Sequence, residues 1–480
     1  MAARWGEITV REVASAMGGK IVSGPPDTPL SGLSTDSRAL DPGQAFLALK
    51  GERYDGHDFL SAAVKGGAAA VIVETPSTVP QVVSAENVAA ISVRSTLEAL
   101  GDLALWWRKQ WQGRVIAITG SNGKSTTKEI AASILFLEAN IKKSPGNYNN
   151  LIGLPLTILS LKGVHQAAVL EMGMNRPGEI GRLTQIADPH IGLITNIAQA
   201  HLEGLGNLQG VVEAKAELLE TMSSHATAIL NGDDERYAEL APRFSGRTIT
   251  FGLGSMNEVR AENIRKVGDN AQAFDICLAE ERIRVRVRLP GIHNVLNALG
   301  GAAIAYGLSL SKGSITRGLE QFVPLKGRFQ VTRLNGDIRI IDDTYNANPS
   351  SLGAALTTVE ALRSEQQGLV VGLGEMMELG TQSPQLHRDA GRRIAEAGTR
   401  YLVALGQHGA QIVEGACEGG MDNAQTHVAT NHREMIDVLK AQVREHDIVF
   451  LKGSRRVFLD KVVDDMKEFL GISEESSDAV

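Results

Sequence analysis

Short, almost uninterrupted apolar runs alternate with amphipathic stretches along most of the chain. "AFLAL" (45–49), "AAVIV" (69–73) and "AAISV" (89–93) form a first set, and "VIAIT" (115–119), "AAVLEM" (167–172), "IGLITNI" (191–197) and "TAILN" (227–231) a second. A third is "IRIID" (338–342), "LVVGLG" (369–374), "YLVAL" (401–405) and "DIVFLKG" (447–453). Runs this apolar predict strands buried on both faces, and the helical patterns between them predict parallel sheets covered by helices, an α/β fold. One run differs. "RIRVRVRL" (282–289) alternates arginine with apolar residues, which predicts a strand with one basic, solvated face.

Punctuation divides these sets. Ser95 and Glu98 read as a capping box opening a helix that places Leu97, Leu100, Ala104, Trp107 and Trp111 on one face. Pro324 and Gly327 in "QFVPLKGRFQ" (321–330) mark a second break. The expected organisation is therefore a first domain over 1–93, a central domain over 94–322 and a third over 323–470. The acidic, serine-rich end, 471–480, is expected to be disordered. A length of 480 residues agrees with three domains of roughly 150 each.

Composition narrows the function classes. The chain is 43% hydrophobic and 21% charged, with a net charge of −7, so its overall field offers nothing to nucleic acid or anionic lipid. No aromatic residues are interleaved with the basic strand, which argues further against nucleic acid. Cys277 and Cys417 have neither metal-site nor disulfide-framework spacing, which fits a reducing cytoplasm. The first residues carry Glu7 and Glu12 without an apolar core, unlike a signal peptide, and no run reaches the ~18 apolar residues of a membrane span.

The chemistry starts at "ITGSNGKSTT" (118–127). A glycine-rich turn between a strand and a helix points several N–H groups, and the positive end of the helix dipole, at one spot. Gly120, Ser121, Asn122, Gly123, Lys124, Ser125 and Thr126 form this turn. Lys124 is placed to reach terminal phosphates and Ser125 to bind Mg²⁺. The spacing is shorter than in the usual phosphate loop, because the position five before Gly123 is Ile118. The loop alone indicates ATP or GTP; the absence of a guanine-type Asn-Lys-x-Asp segment nearby favours ATP.

Other polar residues follow the strands. Glu171 closes one and His201 lies after the next, where parallel sheets deliver side chains to a crevice. Taken singly, Glu171 reads as a solvated strand end, His201 as an ordinary loop residue and Lys215 as a surface lysine on a helix. Taken together they offer metal-type ligands beside the loop. Asn147, Asn149 and Asn150 read either as a polar turn or as neutral donors for phosphate or sugar oxygens. His293, Asn294 and Asn297 stand at a helix start, where Asn294 suits an N-cap. "DDTYNANPS" (342–350) reads as an Asx-turn loop after a strand, and Arg328 lies at the second domain break.

In combination these pieces resemble the Mur ligases, the ATP-dependent amide-bond ligases of peptidoglycan precursor synthesis. The resemblance rests on "STDSRALDPGQAFLALKGERYDGHDF", "TGSNGKST", "GNYNNLIGLPL", "LEMGMNRPGEI", "ITNIAQAHLEGLG", "AKAEL", "GIHNVLNAL", "GRF", "DDTYNANPSS", "LGEMMELG" and "LKGSR", and spans nearly the whole chain. The family's nucleotide loop has the shortened form. The resemblance implies a UDP-substrate domain, a central ATPase domain and a Rossmann-like domain that closes over the site. It implies that Ser34, Asp36, Ser37 and Arg38 hold the UDP part of the substrate and that Asn147 faces it. It implies that Lys124 and Arg328 contact the transferred phosphate, that Ser125 and Glu171 hold one Mg²⁺ and His201 a second, and that Lys215 matches a lysine carrying a carbamate in several relatives. Asn294 and Asn297 then lie around the adenine of ATP and Asp343 at its ribose. "DDTYNANP" and "ELG" resemble the branch that adds D-alanyl-D-alanine to a UDP-N-acetylmuramoyl-tripeptide, which implies a cytoplasmic monomer. Glu375 departs from the family, which usually has Asp there. The competing expectations are a sister ligase adding one amino acid to a muramoyl dipeptide or to folate, and a nucleotide-binding regulator or dehydrogenase. For the last, Gly372 and Gly374 lack the third glycine of a dinucleotide fingerprint.

Overall fold

The computed structural model describes residues 4–472 apart from 52, 75–78, 80–82, 84–85 and 280. Its described residues form three sheets, of five, nine and six strands. Every apolar run named above falls on one of these strands, with ends shifted by up to three residues.

In the nine-stranded sheet the central domain's first strand, Arg114–Thr119, lies third from one edge. Ala167–Glu171 pairs with it on one side and Ile191–Ile194 on the other, both parallel. The chain leaves Arg114–Thr119 in one direction and later returns to its other side. That reversal opens a crevice at the strands' carboxyl ends. Alternate residues face opposite layers. Val115 and Ala117 join Leu100, Leu154, Leu183 and Val212 in one core, while Ile116 and Ile118 join Ile130, Ile134, Val295 and Leu299 in another. Three further strands, Val259–Val267, Ala271–Leu278 and Glu281–Val287, extend the sheet by antiparallel hairpins. The last is the arginine-alternating strand. Its basic face is solvated, as the alternation predicts, but it is also neutralised: Arg284 pairs with Asp275 at 2.9 Å and Arg282 pairs with Glu262.

The six-stranded sheet is parallel except for the edge strand Gln330–Leu334. Ile341, Val371 and Phe450 face one helical layer; Ile340, Val370 and Val449 face the other. Asp343 and Lys452 end neighbouring strands in register, again at carboxyl ends.

Local details correct four expectations. Ser95 caps the helix Thr96–Gln110 by accepting from Glu98 N at 3.3 Å, but the reciprocal half of the box is not made, and Leu97 is exposed while Leu100, Ala104, Trp107 and Trp111 are buried. The N-cap of Ile292–Gly307 is Gly291, so Asn294 lies inside the first turn and donates instead to Pro290 O at 2.7 Å. Gly471 and Ile472 are ordered by a bond from Asn335 N to Gly471 O and a bridge between Leu334 and Ile472; the rest of the acidic end, 473–480, lies outside the described residues. Lys215 is not on the surface at all but fully buried. Among the described residues no helix is long and apolar enough to cross a membrane.

Candidate active site

A cleft of about 310 Å³ lies where the carboxyl ends of the two larger sheets meet. The phosphate-type loop forms one wall. Gly120 (φ 143°) and Gly123 (φ 82°) adopt backbone conformations closed to other residues, and each is also approached closely. A Cβ on Gly120 would stand 1.8 Å from Thr195 Oγ1, and one on Gly123 2.1 Å from Asn297 Oδ1. The turn therefore has to be glycine at both positions. Lys124 Nζ donates to Gly120 O at 2.8 Å and Ser121 O at 3.3 Å, which folds the side chain back along the loop. Burial pushes its ammonium pKa down, partly offset by the carboxylates of Glu171 and Glu378.

The opposite wall comes from the third sheet. Arg328 Nη2 donates to Ser125 Oγ at 3.1 Å, and its guanidinium stacks on Tyr345 at 3.9 Å. Asn348 Nδ2 donates to Asn122 Oδ1 at 2.8 Å. Asp343 accepts from Phe329 N at 3.2 Å and pairs with the buried Lys452. Asn297 Nδ2 donates to Asn294 Oδ1 at 3.0 Å, so the two amides form a fixed polar rail along the cleft. Next to them is His293, whose pKa is pushed down to about 4 by desolvation, with Asp343 opposing.

Beside the loop stand the residues expected to hold metal. Glu171 is 3% exposed; its Oε1 accepts from Asn149 Nδ2 at 3.0 Å, while Oε2 is buried without a hydrogen-bond partner, 3.5 Å from Lys128 Nζ. His201, in the left-handed region at φ 55°, turns its buried Nδ1 to within 2.7 Å of Glu378 Oε2, without the alignment of a full hydrogen bond. Glu378 is held below the usual carboxylate range by His201 first, against its own desolvation. Among the described residues Lys215 has one hydrogen bond, to Met174 Sδ at 3.6 Å; burial, and then the charge of Lys124, drives its pKa well below that of an ordinary lysine. Mg²⁺ fits this set. A hard cation takes one or two carboxylate oxygens and completes its shell with substrate phosphates and water. Glu171 Oε2 is a buried acceptor needing such a partner, beside a phosphate loop. Among the described residues no cluster of three His, Cys, Asp or Glu side chains forms a complete protein cage.

The remaining expected residues are elsewhere. Asn150 Oδ1 accepts from Ile152 N and Gly153 N, capping its own turn, and Asn147 is exposed on the same loop. Ser34, Asp36, Ser37 and Arg38 lie in the five-stranded unit and do not line the cleft. There Asp36, lowered to about 2 by hydrogen bonds from Arg38, forms an exposed 2.8 Å pair with it. The sequence reading missed Lys128, Asn348, Glu378 and Lys452. Asn348 lay inside the quoted "DDTYNANPS", Glu378 inside "LGEMMELG" and Lys452 inside "LKGSR", but none was singled out, and Lys128 lay outside every quoted segment.

Comparison with known proteins agrees with this geometry. The Mur ligase middle domain matches residues 118–305, the Mur ligase glutamate ligase domain residues 327–455, and the Mur ligase family catalytic domain residues 29–108. The UDP-N-acetylmuramoyl-tripeptide–D-alanyl-D-alanine ligases of Bacillus subtilis and Escherichia coli are each 33% identical, over 96% of this chain and 98% of theirs. A crystal structure of MurF from Acinetobacter baumannii superposes with a TM-score of 0.86 at 34% identity, over 96% of this chain and 98% of that one. MurF from Thermotoga maritima, solved in complex with ADP, does so at 0.79 and 27% identity, over 91% and 97%. The chain belongs to the Mur ligase family.

Proposed function

We propose that this chain is an ATP-dependent ligase that adds D-alanyl-D-alanine to a UDP-N-acetylmuramoyl-tripeptide, in peptidoglycan precursor synthesis. The observation that carries this reading is the convergence of Lys124 and Arg328, from two different domains, on one cleft beside Glu171, whose buried Oε2 accepts no hydrogen bond. Likeness over nearly the full length to ligases of that name selects the substrates.

A carboxylate is a poor electrophile for an amine. Transfer of the γ-phosphoryl group of ATP to a carboxylate oxygen of the tripeptide gives an acyl phosphate and ADP. The amine of D-alanyl-D-alanine then attacks the acyl carbon, and the tetrahedral intermediate collapses to the amide with loss of phosphate. The first half brings anions together, so positive charge fixed in advance is what lowers its barrier. In this reading Lys124 and Arg328 supply that charge, and the N–H groups of residues 120–126 cradle the phosphates. Asn294 and Asn297 border the adenine and Asp343 the ribose. Ser34, Asp36, Ser37 and Arg38 hold the distant UDP, and Asn147 and Asn149 lie on the muramoyl side. Ser125 and Glu171 would hold one Mg²⁺ and His201 another, with Lys215 contributing oxygens as a carbamate. When bound, Mg²⁺ neutralises phosphate charge. Burial lowers the pKa of Lys215 and so favours the unprotonated amine, the form that reacts with CO₂. The seam between the second and third domains closes the cleft and keeps water from the acyl phosphate. We further propose a monomer acting in the cytoplasm, which sedimentation and cell fractionation would check.

The test is phosphate release over a matrix of UDP-muramoyl dipeptide or tripeptide, each with D-alanyl-D-alanine, lysine, diaminopimelate or glutamate. Release with tripeptide and D-alanyl-D-alanine alone is expected. Release with the dipeptide and a single amino acid would replace this reading by that of a sister ligase.

A further inference from the structure

The loop after strand Leu369–Gly374 belongs to the third domain and is tied down there. Met376 N donates to the buried His387 Nε2 at 2.9 Å, and Met377 N to Ser454 Oγ at 2.8 Å. From that fixed base the chain reaches across the seam to the central domain. Glu378 O accepts from Glu203 N at 3.1 Å, and Gly380 lies so close to Glu203 that a Cβ there would be 3.1 Å from its Cα. Glu378 itself has φ 65°, and the residue it faces, His201, has φ 55°. Two non-glycine residues in the left-handed region, one on each side of a domain seam, face each other at 2.7 Å. Each conformation is strained for a residue with a side chain, and such strain persists only where surrounding contacts over-determine it.

We propose that Glu378 is a positioning residue for His201, supplied by the third domain when the cleft is closed. A histidine that ligates a metal through one nitrogen is oriented by what its other nitrogen meets. A carboxylate at Nδ1 keeps the proton there and leaves the Nε2 lone pair free for a ligand. Because the carboxylate comes from a different domain than the histidine, His201 is competent only in the closed arrangement. Binding of the second metal and closure are then linked, and the acyl phosphate forms only where water is excluded. The inference rests on the reading of His201 as a metal ligand.

The experiment titrates Mn²⁺ by electron paramagnetic resonance into the full-length protein with a non-hydrolysable ATP analogue and the UDP-muramoyl tripeptide. Wild type, Glu378→Gln, Glu378→Ala and His201→Ala are compared. Wild type is expected to bind two Mn²⁺. Glu378→Ala should weaken one site by about 10–100-fold, the range for losing such an outer partner, with the other unchanged. Glu378→Gln, which keeps an acceptor but not the charge, should fall between. If His201→Ala loses the second site while both Glu378 variants keep it at wild-type affinity, the proposal is wrong although the reading of His201 stands. If His201→Ala keeps both sites, that reading fails and takes the proposal with it. Equal weakening of both sites by Glu378→Ala would show a general loss of structure and would equally overturn it.

Discussion

The two seams of this molecule are made of opposite materials. Where the first unit meets the central one, the core is continuous. Val10 and Ile91 of the first unit, Leu100 and Trp107 of the helix Thr96–Gln110, and Leu154 of the central unit belong to one apolar cluster. Trp5 stacks on Trp107 at 4.7 Å and donates to Leu159 O at 3.0 Å. The seam between the central and third units is polar. Each side keeps its own core, and the two are joined by Asn348 to Asn122, Arg328 to Ser125, Glu378 to His201, and Asp269 to Arg333 and Arg339. An apolar seam must expose its area to open, whereas polar contacts exchange for water at little net cost. The first seam therefore resists opening, whereas the contacts of the second can exchange for water, as the proposed closure requires.

Disrupting each seam should affect different measurements. Trp107 is 2% exposed, so Trp107→Ala is expected to lower unfolding stability by about 3–5 kcal/mol in urea titration. The molecules that remain folded should turn over at near-normal rates. Lys124→Ala should do the reverse, with turnover down by about 10²–10³ or more and the urea midpoint little changed, while the UDP substrate still binds. Near-normal turnover in Lys124→Ala would remove the loop from the chemistry.

Lys215 lies between these extremes, because function and stability pull on it in opposite directions. Its native pKa lies well below the unfolded value near 10.5. Across that window the unfolded chain binds the extra proton, so stability rises with pH until the unfolded amine also titrates. In bicarbonate-depleted buffer, Lys215→Met should raise stability at neutral pH, by about 1 kcal/mol or more, because it removes a buried amine whose one hydrogen bond, to Met174 Sδ, is weak, and it should flatten the pH slope. Activity should be lost. Short carboxylic acids should restore activity to Lys215→Ala if a carbamate is the working form, and acid treatment of wild type should release one CO₂ equivalent.

The contrast also explains what could be read in advance. Buried parallel strands announce themselves as apolar runs, so the sheets were legible. The hairpin strand Ala271–Leu278 was not, because it is buried throughout yet contains Gln272 and Asp275, whose polar groups are satisfied by Leu289 O and Gly291 O and by Asn263 and Arg284. The phosphate loop was legible because its backbone demands glycine. Glu171, His201 and Lys215 were ambiguous because burial decides their chemistry, and burial of a helical lysine such as Lys215 leaves no local trace. The roles of Lys128 and Glu378 could not be read for a related reason. Each acts through a neighbour distant in sequence, Glu171 for one and His201 for the other.

The smallest effect is the one that can separate closing from folding. Asn348 is the N-cap of the helix Pro349–Leu362, accepting from Ser351 N at 2.8 Å, and its amide nitrogen also crosses the seam to Asn122 at the tip of the phosphate loop. Asn348→Ala removes both interactions and should cost about 1 kcal/mol of stability through the cap. Asn348→Ser keeps a capping oxygen but cannot reach as a donor across the seam, so its stability should match wild type. If the polar seam is what closes the cleft over nucleotide, both variants should still weaken ATP binding by about 0.5–1.5 kcal/mol, a few-fold to tenfold by calorimetry. Equal ATP affinity in wild type and Asn348→Ser would mean that this contact follows closure rather than holding it, and would shift the closing energy to Arg328 and the Asp269 cluster.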